Sequence, residues 1–233
     1  MATEIDTPSF TVGADQKRVT RSAGVVSIAV MGSRLLGLVR EQIIAYFFVA
    51  GVSADAFYAA FRIPNLMRDL FGEGALSKAF VTTFTATEVE DGEEAAWRLA
   101  NRVFNATALV LTALILIGVL AAPLIVDVMF AGKGFDLELD PSAHLGFTSK
   151  RALTVYLTQI MFPFLMLVSF AAIAMGLLNS KGKFGVPACA SSFFNLGSVI
   201  VGVWGYYTAP RIGLHPTTGM AVGVLIGGAL QFL

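Results

Sequence analysis

The segment from Ser33 to Phe80 carries Arg34, Arg40, Glu41, Asp55, Arg62, Arg68, Asp69 and Glu73 among its charged side chains. The residues around them are largely apolar, and the segment reads as two helices joined by a short turn, Ala50-Gly51-Val52-Ser53. Both helices are apolar enough to enter a membrane. An arginine at that depth costs on the order of 2.5–3.5 kcal/mol on insertion scales, so four cost roughly 10 kcal/mol. That is comparable with the stability of a whole domain. Such groups persist where they pair, line water or hold a polar ligand. The guanidinium fork suits phosphate because it donates two parallel hydrogen bonds. The chemistry expected is therefore reversible binding of an anion.

Helical spacing sorts these groups. Arg34 and Glu41 are seven residues apart and share a face, so they are a candidate pair. Asp55, Arg62, Asp69 and Glu73 fall on one stripe of the second helix, with Asn65 and Arg68 further round and Pro64 able to bend it. From Asp55 to Glu73 is about 27 Å of helix at 1.5 Å per residue. Pairing within the bundle and service to a ligand both fit Glu41, Arg62, Asp69 and Glu73, which are candidates for charge pairing or gating. The acids lie towards the ends, and the central arginines keep the cationic excess that would hold an anion.

Other chemistries find little support. GxxxxGK[ST] is absent, so nucleotide hydrolysis is not expected. No nucleophile–base pair stands out, and the chain is not read as an enzyme. A net charge of zero argues against nucleic acid as a partner. The single cysteine, Cys189, lies in an apolar run and reads as a packing residue. His144 and His215 are too far apart in sequence to suggest a metal pair and receive no role. No cofactor or metal is expected.

The elements that must position the charged groups follow from composition. Of 233 residues, 56% are hydrophobic and 14% charged, and the mean hydropathy is +0.74. Soluble domains carry about 25% charged residues. Long uncharged runs then indicate an all-α, polytopic transmembrane helical bundle. Helix 1 is expected over about Ser22–Phe48 and helix 2 over Ala54–Thr85. An acidic linker, Glu88–Glu94, leads into helix 3 from Trp97, whose stretch Phe104–Val126 has no charge. A polar loop, Gly132–Arg151, precedes helix 4 over Ala152–Leu178, where Pro163 predicts a kink. The basic turn Asn179–Lys183 leads to helix 5 over Phe184–Tyr207, and helix 6 follows the loop Thr208–Thr218.

Residues 1–21 read as a disordered cytoplasmic tail without signal-peptide features, and residues 22–233 as the N-terminal transmembrane lobe of about six helices. Leu233 falls inside an apolar run, so the chain is expected to be part of a longer protein. With the N-terminus inside, Lys17, Arg18, Arg21, Lys78, Arg98, Arg102, Lys181 and Lys183 are cytoplasmic. Lys133, Lys150, Arg151 and Arg211 are then outside, which favours this orientation. The expected location is the cytoplasmic (inner) membrane of a bacterium.

The motifs themselves resemble the MurJ (MviN) family of lipid II flippases. The likeness is densest in Ser33-Arg34-Leu35-Leu36-Gly37-Leu38-Val39-Arg40-Glu41, in Asp55-Ala56-Phe57, and in Ala60-Phe61-Arg62-Ile63-Pro64-Asn65-Leu66-Met67-Arg68. It continues through Phe71-Gly72-Glu73-Gly74-Ala75, and more weakly through Leu178-Asn179, Phe184, Pro187-Ala188 and Asn195. The resemblance implies the multidrug/oligosaccharidyl-lipid/polysaccharide exporter fold, with this chain as the N-terminal six-helix lobe of two. It implies translocation of lipid II, an undecaprenyl-pyrophosphate-linked disaccharide-pentapeptide, across the inner membrane for peptidoglycan biosynthesis. Membrane lipids and cell-wall synthesis proteins are the further expected partners.

On that resemblance Arg34, Arg40 and Arg68 would hold the pyrophosphate, with Asp55 and Asn65 completing the substrate-binding set. Gly72 stands where alanine is common, Thr82 where proline is common, and Glu41 where aspartate also occurs. A further cavity arginine and the lipid-tail groove of the family belong to the second lobe. The alternatives are a flippase for O-antigen or capsule units, a multidrug/cation antiporter, and a non-transporting scaffold. The central arginines speak against the antiporter, whose cavity should be dominated by acids.

Overall fold

A computed structural model describes residues 12–48, 51–71, 75–132, 134–135, 137–141 and 144–232. Among these the chain is helical: α1 (Val12–Phe48), α2 (Val52–Phe71), α3 (Ala75–Asp91), α4 (Glu93–Phe130), α5 (Lys150–Met161), α6 (Phe164–Ser180), α7 (Gly185–Thr208) and α8 (Pro216–Phe232). A 3-10 turn, Ala209–Ile212, lies between α7 and α8. Three stretches are long and apolar enough to cross a membrane: Glu93–Phe130, Lys150–Ser180 and Gly185–Ile212.

Among the described residues eight helices stand where six are expected. Helix 2 is described as α2 and α3, with residues 72–74 between them outside the described set. Helix 4 is broken into α5 and α6, and Pro163 is the cause. It has no N–H to offer the carbonyl four residues back, and the chain continues with the shorter bonds Leu165 N to Phe162 O and Met166 N to Pro163 O, both 3.1 Å. Pro64 and Pro123, by contrast, lie inside unbroken helices. The first helix begins at Val12, ten residues ahead of the expected Ser22. The stretch Asp15-Gln16-Lys17-Arg18 is polar, yet Gln, Lys and Arg are good helix formers and extend the helix outside the apolar run. The earlier residues of the expected tail lie outside the described set.

Burial patterns explain how the helices associate. On α4 the buried positions Ala96, Ala100, Thr107, Leu111, Ile115, Gly118, Ala122 and Val126 form one stripe, while Leu109, Leu116, Leu120, Leu124 and Val128 are exposed on the other side. A wholly apolar outer face is what a helix against hydrocarbon requires. Lipid offers no hydrophobic drive for helices to associate, so close packing of small residues does that work. The tightest pair is α7 with α8, where a Cβ on Gly219 would sit 2.1 Å from the Gly205 carbonyl carbon.

The central core brings Ala56, Phe57 and Ala60 of α2 against Leu157, Met161, Phe164, Phe194, Met220 and Val224 from α5, α6, α7 and α8. Consequently α2 rests on α5, and α1 rests chiefly on α7 rather than on α2. A smaller cluster, Phe80, Phe84, Ala96, Ala100 and Ile173, ties α3 to α4 and α6. The loop after α4 is pinned by an antiparallel bridge, Glu138 with Ser149, and by Lys150 N to Leu137 O at 3.1 Å.

Candidate anion-binding site on the charged helices

The core fixes which face of α2 remains open. Ala54, Ala56, Phe57, Ala59, Ala60 and Ile63 are buried. Asp55, Tyr58, Arg62 and Leu66 are exposed, at helical spacing along one stripe. On α1, Ser33 and Ile44 are buried, while Arg34, Leu38 and Glu41 are exposed. Asn195 of α7 holds α1 beside Arg34, donating from Nδ2 to the Ser33 carbonyl at 3.1 Å.

Side-chain contacts tie the two helices to each other and to the core. Arg40 Nη2 donates to Glu41 Oε1 at 2.7 Å, and Tyr58 of α2 donates to Glu41 Oε2 at 3.2 Å. The Arg40 guanidinium lies over the rings of Phe61 (5.9 Å) and Phe194 (5.3 Å), a cation–π arrangement that holds its plane. Its side chain is 17% exposed, and its Nε has no partner among the described residues. The cavity behind this group, lined by Ile44, Phe57, Phe61, Met220 and Val224 among others, measures about 20 Å³. That admits about one water, and a phosphate group does not fit there.

The pairs differ from those that spacing suggests. Glu41 pairs with its neighbour Arg40 instead of Arg34, which lies two helical turns away. Arg34 and Arg62 have no ion-pair partner among the described residues. Asp55 is taken by a residue outside the expected set: Lys150 Nζ donates to Asp55 Oδ2 at 2.9 Å, and the ammonium stands 4.3 Å from the centre of the Phe135 ring. Lys150 reads in sequence only as a topology determinant, yet it is buried. Asn65 is half-buried, with Oδ1 unpartnered among the described residues. Arg68 and Asp69 belong to α2 by backbone, their side chains lying outside the described set, and Glu73 lies outside the described residues altogether.

Two further groups flank this surface. At the Lys150 end, Arg151 joins Asp127 through two hydrogen bonds of 2.5 and 2.8 Å. His144 and His215, distant in sequence, stack there with ring centres 5.9 Å apart. Burial, followed by the neighbouring His144, lowers the His215 pKa to about 4. Its Nδ1 lies 2.7 Å from the Thr217 hydroxyl and 3.3 Å from the Thr217 backbone N–H, which donates to it. At the opposite end, Lys181 bonds Glu88 and lies 3.8 Å from Glu93. The hydrogen bond with Glu88 is the first cause that raises the Lys181 pKa. Among the described residues no three His, Cys, Asp or Glu side chains gather as a metal site. Cys189 is free and half-buried.

Comparison with known proteins supplies the family. Residues 44–233 match the family model "Lipid II flippase MurJ". A "Probable lipid II flippase MurJ" from Vibrio cholerae serotype O1 is 37% identical over 218 residues, covering 93% of this chain and 40% of the relative. The "Lipid II flippase MurJ" of Burkholderia cenocepacia is 35% identical over 201 residues, 86% of this chain and 36% of that one. A solved structure, "Lipid II flippase MurJ, inward closed conformation", superposes with a TM-score of 0.67 at 28% identity, covering 89% of this chain and 40% of that chain. The chain thus spans about 40% of the length of the relatives it matches. With three membrane-length apolar stretches in a helical bundle of this kind, it is a multi-pass membrane protein, and it belongs to the lipid II flippase MurJ family.

Proposed function

We propose that this chain forms one helical lobe of a lipid II flippase. In this reading the whole protein carries undecaprenyl-pyrophosphate-linked disaccharide-pentapeptide from the inner to the outer leaflet of the bacterial cytoplasmic membrane. The observation that carries the reading is the cationic surface of α1 and α2. Arg34 and Arg62 stand exposed without ion-pair partners among the described residues, and the Arg40 guanidinium, held over Phe61 of α2, keeps a buried Nε unfilled among the described residues. Guanidinium groups so presented match a pyrophosphate.

The cycle is alternating access, with the N-terminus cytoplasmic. The head group enters from the cytoplasmic side, is held by Arg34, Arg40 and Arg68, and is released outside after the lobes rock, while the polyprenyl tail stays in lipid. No covalent bond changes, so the protein is a transporter and not an enzyme. Asp55 and Asn65 contribute to the substrate surface. Glu41, Arg62, Asp69 and Glu73 adjust its charge as pairs or gates. The membrane potential favours outward movement of an anion from an inside-negative cell, by about 2.3 kcal/mol per charge at 100 mV.

Reconstituting the whole protein with labelled lipid II tests this. Label should reach the outer leaflet, and Arg34→Ala, Arg40→Ala and Arg68→Ala should each abolish transfer at normal protein levels. Transfer of an O-antigen precursor in place of lipid II would overturn the assignment of cargo.

A further inference from the structure

The geometry assigns to Lys150 the role of positioning residue for Asp55, fixing that carboxylate at one end of the arginine-bearing stripe and offsetting its charge. This rests on the reading of α1 and α2 as the surface that receives an anionic head group. Lys150 is the only buried lysine or arginine among the described residues, with a relative exposure of 7%. It also stands at the first position of α5, immediately after the N-cap Ser149. There the helix dipole opposes a cation, and burial opposes it again. The Phe135 ring centre lies 4.3 Å from the ammonium. An ammonium held against two opposing effects needs a compensating partner, and Asp55 is the one that meets it.

The pair is lopsided in a way that suggests direction. Lys150 retains 9% side-chain exposure and Asp55 retains 64%. The lysine has surrendered its water, whereas the carboxylate still faces the stripe that Tyr58 and Arg62 share. Lys150 therefore sets where Asp55 sits, and an arriving anion meets a neutralised carboxylate in place of a repelling one. Three segments converge on this one ammonium: α2 through Asp55, α5 through Lys150 itself, and the α4–α5 loop through Phe135. The neighbouring Asp127–Arg151 pair joins α4 to α5 at the same end, and it is exposed. It is the natural control for general bracing.

The test uses the whole protein with its native cysteines replaced and one cysteine introduced at Ser53, in the first turn of α2. Two readouts are taken in the variants Lys150→Met, Lys150→Arg and Asp127→Asn: lipid II transfer, and the rate at which the Ser53→Cys thiol reacts with a polar maleimide. Lys150→Met should lower transfer about tenfold, the scale of one lost charge-assisted hydrogen bond, and should quicken labelling. Lys150→Arg should restore both, and Asp127→Asn should alter neither.

The assignment is overturned if Lys150→Met matches the parent in both readouts, if arginine fails as methionine does, or if Asp127→Asn does equal damage. Should Lys150→Met not accumulate in the membrane, Lys150→Gln takes its place under the same criteria. A parent protein that transfers no lipid II would sink the flippase reading alone, because labelling at position 53 still reports whether Lys150 holds α2.

Discussion

The two ends of the bundle are built from the same three parts, a lysine, an acid and a phenylalanine, with different consequences. At one end Lys150 meets Asp55 at 2.9 Å over the ring of Phe135. At the other Lys181 meets Glu88 and Glu93, with its ammonium 5.7 Å from the centre of the Phe84 ring. The first lysine has a side-chain exposure of 9% and the second 30%. Water therefore stabilises Lys181 in the absence of its acids but reaches Lys150 little. A buried ion pair gains little over an apolar substitute, yet breaking it by removing one partner is costly. An exposed pair contributes little in either case. The same chemistry is a positional constraint at one end and a solvated contact at the other.

This contrast can be broken in several ways. The largest effect expected is from Asp55→Ala, which strands a buried ammonium and should cost about 3–5 kcal/mol, read as a fall in thermal stability in detergent. Next comes acidification at the same end. His215 has its pKa lowered from 6.5 to about 4, so between those values the unfolded chain binds a proton that the folded chain refuses. Stability should fall as pH drops through this window, by up to about 3 kcal/mol, and a His215→Gln variant should lose that dependence.

A smaller effect is expected from Lys150→Met, which removes the desolvated charge and leaves Asp55 in contact with water. Its stability should stay within about 1 kcal/mol of the parent, in contrast to Asp55→Ala. Equal losses from the two would contradict the asymmetry. The smallest is Lys181→Met, which should leave the melting midpoint unmoved at physiological salt. Because the Lys181 pKa is raised above 10.5, its pairing persists below that value and is lost only as pH rises through the raised one. An effect near neutral pH would show that the Lys181 end is more than a solvated contact.

The architecture was legible because it depends on local properties. Uncharged runs long enough to cross a bilayer marked the third, fourth and fifth spans, and α7 begins and ends within a residue of its expected bounds. The interruption of the fourth span was less legible: Pro163 announced a kink and delivered a break between α5 and α6. Concentration of arginines on α1 and α2 was equally plain, since charge among apolar residues is conspicuous in one dimension.

Partners were not legible. Helical periodicity offered Arg34 to Glu41, and the fold gave Glu41 to Arg40 and Tyr58. It offered His144 and His215 no connection, and packing of α8 beside the α4–α5 loop stacked them. Lys150 carried a signal that could have been used, a lysine directly after an N-cap serine, where the dipole disfavours it. Its acid, ninety-five residues earlier, could not have been found that way. Sequence by itself determined the helices, their membrane class and the chemistry of the charged pair, because hydropathy and charge act residue by residue. The tertiary structure alone decided which charges are partnered and which remain exposed. That choice depends on burial and on distances of a few ångströms between segments far apart in the chain.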